Sequence, residues 1–114
     1  MATIKSYTDL EQSKKLAEIL PLETADMGYL WNGTSFCDYP VSNQTIFKRV
    51  ENVPCWSLSA LLTVLPNYQL QTQDDGIGIL CSCNGKFNIV TADSPVDACV
   101  EMIIKLNEQK QKLS

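Results

Sequence analysis

The strongest constraint on the fold is a pair of strand-like segments joined by Asn84-Gly85. An Asn-Gly pair between two runs of strand-forming residues is typical of a two-residue type I′ turn, because both turn positions need a positive φ. The flanking runs, Ile77–Cys83 and Lys86–Thr91, are rich in β-branched and other apolar residues. We therefore predict an antiparallel hairpin. With the period of two that strands have, one face of it is expected to carry Ile77, Ile79, Cys81, Cys83, Phe87, Ile89 and Thr91 towards the core.

A second Asn-Gly pair predicts another hairpin nearer the N-terminus. Asn32-Gly33 lies between Gly28–Trp31 and Thr34–Cys37, and both of these segments are rich in strand formers. The remaining assignments outside the helices are strands at Thr45–Val50 and Tyr68–Gln73, a turn at Asp74-Asp75-Gly76, and a short bridge at Asn52–Trp56.

Apolar residues at helical spacing indicate three helices. The first, Asp9–Leu20, starts at a capping box in which Thr8 caps the helix and Glu11 reaches back, and it ends before Pro21. The second, Leu58–Leu65, is almost wholly apolar, so we expect it to be deeply buried. The last helix follows Ser94-Pro95, a cap followed by proline at the first helical position, and its apolar stripe comprises Val96, Cys99, Val100, Ile103 and Leu106.

The order of these elements predicts an α+β fold. We expect a mainly antiparallel sheet built from hairpins, with N- and C-terminal helices and a short apolar central helix packed on one face. The length of 114 residues fits a single domain over residues 1–114, with frayed ends at about 1–6 and 109–114. The N-terminus lacks the apolar region of a secretory signal, and no segment is apolar enough to span a membrane, so a cytoplasmic protein is expected.

The chain contains no histidine, which excludes His-based triads, Cys-His dyads and the usual His-containing zinc sites. Of the five cysteines, Cys81 and Cys83 form half of a possible metal site, but small buried thiols explain them more simply. A catalytic thiolate at Cys37 or Cys55 would lack an imidazole base. The aspartates show no spacing typical of a metal loop or an acid pair. We therefore predict no catalytic residue, no bound metal and no cofactor.

The charge balance argues against nucleic acid as a partner. Nine basic residues stand against thirteen acidic ones, which gives a net charge of −4. Binding to the phosphate backbone needs a basic surface, and a single arginine provides little capacity for bidentate base contacts.

Aromatic residues are the best candidates for a binding surface, because protein interfaces favour Trp, Tyr and Phe. Tyr29, Trp31 and Phe36 cluster at the first predicted hairpin, and Trp56 precedes the central helix. The alternative interpretation is that these rings complete the core, which is favoured for Trp56. For Trp31, which lies beside a turn, the two interpretations are evenly balanced.

Three segments together carry a resemblance to a known family: Tyr7–Glu23, Val53–Leu62 and Ser94–Leu106. Through them, the chain resembles a family of small uncharacterised proteins encoded on phages and conjugative elements of gut anaerobic bacteria. The resemblance implies a mobile genetic element and a cytosolic accessory role, and it transfers no functional residue.

These observations lead to one main hypothesis and two alternatives. The main hypothesis is a non-catalytic accessory or adaptor protein that binds a host or element-encoded protein, as a monomer or homodimer. The alternatives are a small enzyme or a ligand or metal binder that uses Cys or Asp residues, and a structural homodimer formed through an exposed sheet edge.

Overall fold

A computed structural model describes residues 6–37, 39–42, 52–65, 67–73, 76–83 and 86–109. Three predictions lie outside these residues: the strand Thr45–Val50, the turn residues Asp74-Asp75 and Asn84-Gly85, and the fraying of the extreme ends. In chain order the described elements are α1 (Leu10–Ala17), a short 3-10 helix (Leu22–Thr24), β1 (Met27–Tyr29), β2 (Val53–Cys55), α2 (Leu58–Val64), β3 (Tyr68–Gln73), β4 (Gly76–Cys83), β5 (Lys86–Ala92) and α3 (Pro95–Glu108). The predicted α+β class is confirmed.

The first helix begins one residue later than its predicted capping box. Asp9 is the N-cap, and its carboxylate accepts the Gln12 amide at 2.8 Å while the Gln12 side chain accepts the Asp9 amide at 3.1 Å. The prediction of Thr8 and Glu11 as the capping pair is therefore wrong. Thr8 is fully buried, and its hydroxyl accepts the Trp56 amide instead.

The first predicted hairpin is also wrong in its pairing. β1 pairs antiparallel with β2, which the sequence analysis assigned as a bridge, and Gly28 lies opposite Pro54. Gly28 exchanges both of its backbone hydrogen bonds with Val41 on its other side, each at 2.8 Å, so the Gly28–Pro54 pair needs no proline amide. Residues 34–37 form no strand and contribute only an isolated bridge between Trp31 and Phe36. The described strands therefore form two antiparallel sheets rather than one.

β3, β4 and β5 form the second sheet as an antiparallel meander. Cys83 lies opposite Lys86, which leaves two residues for the connection, as the Asn84-Gly85 pattern predicts. This register places Ile79 opposite Val90 and therefore places Phe87 on the other face of the sheet. The prediction that Phe87, Ile89 and Thr91 face the core is consequently wrong, and these residues are exposed.

The core lies between the inner face of this sheet and the helices. α3 packs on β4 and β5, α2 packs on α3, and α1 contacts β2. The predicted apolar stripe of α3 is confirmed, because Val96, Cys99, Val100, Ile103 and Leu106 are all buried. The fully buried side chains from the other elements include Leu16, Trp56, Leu61, Val64, Ile79 and Cys81.

Candidate functional site

A well-ordered hydrogen-bond pattern holds the segment of residues 30–37, which we call the aromatic loop. The Asn32 side-chain oxygen accepts from the amides of Thr34 and Ser35 and from the Thr34 hydroxyl, each at 3.0 Å. The Asn32 amide donates back to the Ser35 carbonyl at 3.0 Å, and the Cys37 amide donates to the Leu30 carbonyl at 2.9 Å. Asn32 does not adopt the positive φ of a type I′ turn, so the predicted two-residue turn is replaced by a four-residue loop.

Trp31 and Phe36 face each other across this loop. Their ring centroids are 5.0 Å apart at an interplanar angle of 61°, an edge-to-face arrangement that aromatic pairs prefer. The Lys14 ammonium lies 5.6 Å from the centroid of the Phe36 ring, and this contact joins the loop to α1. The Asn52 side chain accepts the Trp31 amide at 2.8 Å. The rings are thus fixed from both sides, although 40% of Trp31 remains exposed.

A shallow depression of about 460 Å³ lies beside the pair and is lined by Asn32, Ser35, Phe36, Cys37 and Tyr39. Tyr39 is 74% exposed. Cys37 is an exposed free thiol. The depression combines aromatic rings with a hydroxyl and an amide, a mixture typical of protein-recognition surfaces.

The other two predicted site residues lie in the interior. Tyr29 is buried, and its hydroxyl donates to the Thr8 carbonyl at 2.8 Å. Burial, followed by the nearby Cys55 thiol, raises the pKa of Tyr29 well above its ordinary value. Trp56 is fully buried, and its indole donates to the Thr24 hydroxyl at 2.9 Å. The structure brings Trp31 and Phe36 together on the surface, whereas Tyr29 and Trp56 hold the fold beneath.

Three of the described cysteines are buried thiols. Burial raises the pKa of Cys55, and hydrogen bonds from neighbouring hydroxyls only partly oppose this effect. Burial also raises the pKa of Cys99 to about 12, and the nearby Cys81 adds to the rise. Because only the thiolate is an effective nucleophile, the raised pKa values of Cys55 and Cys99 disfavour a nucleophilic role at neutral pH. The side chain of Cys83 lies outside the described part of the chain.

One described aspartate, Asp26, lines a surface groove. A groove of about 420 Å³ between the 3-10 helix and α2 contains the carboxylates of Glu23 and Asp26. The Asp26 carboxylate, however, accepts both the amide and the hydroxyl of Ser57, the N-cap of α2. It therefore supports the start of a helix, since the Ser57 hydroxyl that it binds accepts the Ala60 amide at 3.2 Å.

The described residues contain neither a cluster of metal-binding side chains nor a membrane-spanning helix. None of their Cys, Asp and Glu side chains form a group of three or more that is suited to hold a metal ion. None of the helices in this part of the chain has the length and apolar character needed to cross a membrane.

The fold is α+β, and its exposed aromatic loop is the feature best suited to recognition. Comparison with family models, curated proteins and solved structures finds no match for this chain.

The residues that support this surface were missed by the sequence analysis. Lys14, Asn32 and Asn52 hold the rings in place, yet none was assigned a role in a site. Asn32 offered a signal, because an Asn that bonds the amides two and three residues ahead is a known alternative to the type I′ turn. Lys14 and Asn52 are distant in sequence from Trp31, and no local pattern reveals their contacts.

Proposed function

We propose that this protein is a non-catalytic, protein-binding accessory protein of a mobile genetic element, and that the aromatic loop is its binding surface. The partner is a host or element-encoded protein. The single observation that carries the proposal is the edge-to-face pair formed by Phe36 and the exposed Trp31, on a loop in which the Asn52 side chain accepts the Trp31 amide. The cellular setting follows from the resemblance described above.

Preorganisation is what favours this surface over other exposed apolar residues. A side chain that is already fixed loses little conformational entropy when a partner binds, so more of the contact energy appears as affinity. Trp31 has its backbone held by Asn52 and its ring held by Phe36. Large aromatic residues of this kind dominate the energetics of many interfaces.

The alternatives have weaker support. An enzyme based on a cysteine would need an activated thiolate, and the buried thiols of Cys55 and Cys99 have raised pKa values instead. Cys37 is exposed, but the sequence contains no histidine to act as its base. A structural homodimer remains a separate proposal, and light scattering of the purified protein distinguishes it from a monomeric adaptor.

The test is affinity capture from host lysate with the wild-type chain and the Trp31→Ala variant, followed by quantitative mass spectrometry. We expect the variant to lose the captured partner while its circular dichroism spectrum and melting temperature change little, because the ring is partly exposed. Truncation of a central interface aromatic costs on the order of 2 kcal/mol or more, which is a loss in affinity of roughly thirtyfold.

Leu22→Ala is the matched control, because Leu22 is exposed to nearly the same fraction, 38%, at a site outside the aromatic loop. It should retain the partner. Unchanged capture by Trp31→Ala, or equal loss with both variants, would contradict the assignment of this surface. Phe36→Leu provides a second variant that keeps an apolar side chain and removes the ring pair.

A further inference from the structure

Among the described strands, none pairs with the outer edge of β5, and this edge presents a row of backbone groups next to exposed apolar side chains. β5 is at one border of the sheet, and its even-numbered residues bond to β4, so the amides and carbonyls of Phe87 and Ile89 point outwards. The Lys105 ammonium lies 3.5 Å from the Ile89 carbonyl, which is consistent with this orientation. Phe87 is 70% exposed and Ile89 is 61% exposed.

One donor from the inner side of the sheet reaches this same edge, and a second polar side chain of β5 lies buried beside it. Lys105 reaches from α3 to the carbonyl of Ile89 at a distance that is long for a hydrogen bond. Next to it along the strand, Asn88 is 93% buried, because its exposed fraction is 7%. Its side-chain oxygen accepts from Gln109 at 3.0 Å, but its side-chain nitrogen has no partner. A buried unpaired donor is costly in a folded protein, but this nitrogen is closed off from solvent, so Lys105 is the donor that a molecule at the edge could reach.

We propose that the edge of β5 binds an extended segment of a partner protein as an additional strand, and that this segment alternates apolar with acidic residues. The backbone of this segment would form hydrogen bonds with the outward-pointing amides and carbonyls of Phe87 and Ile89. Its apolar side chains would lie beside those two residues on the outer face. An acidic side chain of the segment, on the inner face, would accept from the Lys105 ammonium, which supplies the positive charge at this edge.

A second copy of this chain fits the edge less well. Pairing two β5 strands about an axis at Ile89 would bring the Lys105 ammonium of each copy to adjacent carbonyls, and like charges at this distance repel. Phe87 and Ile89 together offer roughly 250 Å² of apolar surface, whereas a stable interface buries about 800 Å² on each partner. A short strand can use the backbone hydrogen bonds of the edge without such an area.

The test uses two capped, fluorescently labelled peptides of seven residues, the length of β5, titrated with the full chain in an anisotropy assay. One peptide alternates valine with aspartate, and the other alternates valine with lysine. We expect saturable binding of the acidic peptide and roughly tenfold weaker binding of the basic one. Lys105→Met should remove this preference. Ile89→Pro, which deletes one outward amide while sparing the ladder to β4, should weaken both peptides.

Trp31→Ala is the control that separates this site from the proposed aromatic surface, and it should leave peptide affinity unchanged. Failure of the acidic peptide to bind, or equal binding of both peptides, would overturn the proposal. A Lys105→Met variant that dimerises in light scattering without binding peptide would also overturn it, because Lys105 would then act only to block the edge. If Ile89→Pro does not fold, the Lys105→Met titration decides the question.

Discussion

Replacing Thr8 with valine removes one buried hydroxyl while keeping nearly the same shape. This hydroxyl lies 2.8 Å from the Ser13 hydroxyl and 3.4 Å from the Cys55 sulfur, and it accepts the Trp56 amide at 3.2 Å. Thr8 and Ser13 are fully buried, so water cannot replace the lost contacts in the folded state. The group joins the start of α1 to the segment that enters α2.

The expected cost follows from these contacts. A buried amide left without an acceptor destabilises a protein by roughly 1–3 kcal/mol, and the lost contact to Ser13 adds about 1 kcal/mol. We therefore expect the free energy of unfolding of Thr8→Val to be lower by about 2–4 kcal/mol. For a domain of this size the melting temperature should fall by roughly 10 °C. Urea denaturation followed by circular dichroism measures the first quantity, and calorimetry measures the second.

Thr63→Val is the matched control, because the Thr63 hydroxyl donates to the Ser59 carbonyl at 2.9 Å on an exposed face. It should change stability by less than about 0.5 kcal/mol. A double-mutant cycle of Thr8→Val with Ser13→Ala should give a coupling energy of about 0.5 kcal/mol or more. A loss below about 0.5 kcal/mol for Thr8→Val would refute the view that this network fastens α1 to the core.

Four further outcomes are expected. Gly76→Ala should lower the free energy of unfolding by roughly 2–4 kcal/mol, because φ is +149° and the added carbon would overlap a backbone carbonyl. Gly33→Ala should lower it by only about 1 kcal/mol, because Gly33 has φ +103° but lies in open space. Urea titration compares the two. Asn88→Leu should raise the melting temperature, since it removes a buried unpaired donor worth about 1 kcal/mol or more. The pKa of Cys99 in the folded protein is about 12, against an ordinary 9.0, so the protonated thiol contributes its full stabilisation below pH 9. Above pH 9 the free energy of unfolding should fall by up to about 1.4 kcal/mol per pH unit. Denaturation at several pH values should show this fall for the wild-type chain, and Cys99→Ala should lack it. Iodoacetamide added to native protein should label Cys37 and spare the three described buried thiols, as peptide mapping would show.

Local signals located most of the elements in this chain. Ser57 and Ser94 cap α2 and α3 as their sequence context indicates, with side-chain oxygens 3.2 Å from the amides of Ala60 and Asp97. The pairing of β1 with β2 was missed because its determinants are not local. Each strand has three residues, the two are far apart in sequence, and Pro54 argues against a strand assignment.

For the meander, the sequence analysis predicted the turn between β4 and β5 correctly but predicted the wrong inner face for β5. A two-residue connection places Cys81 opposite Asn88, so polar Asn88 faces the core and apolar Phe87 faces outwards. The sequence analysis followed hydrophobicity and assigned the opposite face. Register takes precedence because a shift by one residue would break every ladder bond between β4 and β5. The two residues that violate hydrophobic expectation, Asn88 and Phe87, both lie at the edge proposed to bind a strand.

The conformation of the aromatic loop depends on one side-chain amide, that of Asn32. With a two-residue turn at Asn32-Gly33, Trp31 would lie opposite Thr34, and Phe36 would lie opposite Tyr29. The Asn32 side chain instead collects three donors within the loop, so the chain closes two residues later and Phe36 lies opposite Trp31. The Trp31 and Phe36 rings are then in contact at the surface, and the Tyr29 hydroxyl donates to the Thr8 carbonyl in the interior. The aromatic residues could be named as candidates from sequence, but which of them share a surface is decided by the hydrogen bonds of Asn32.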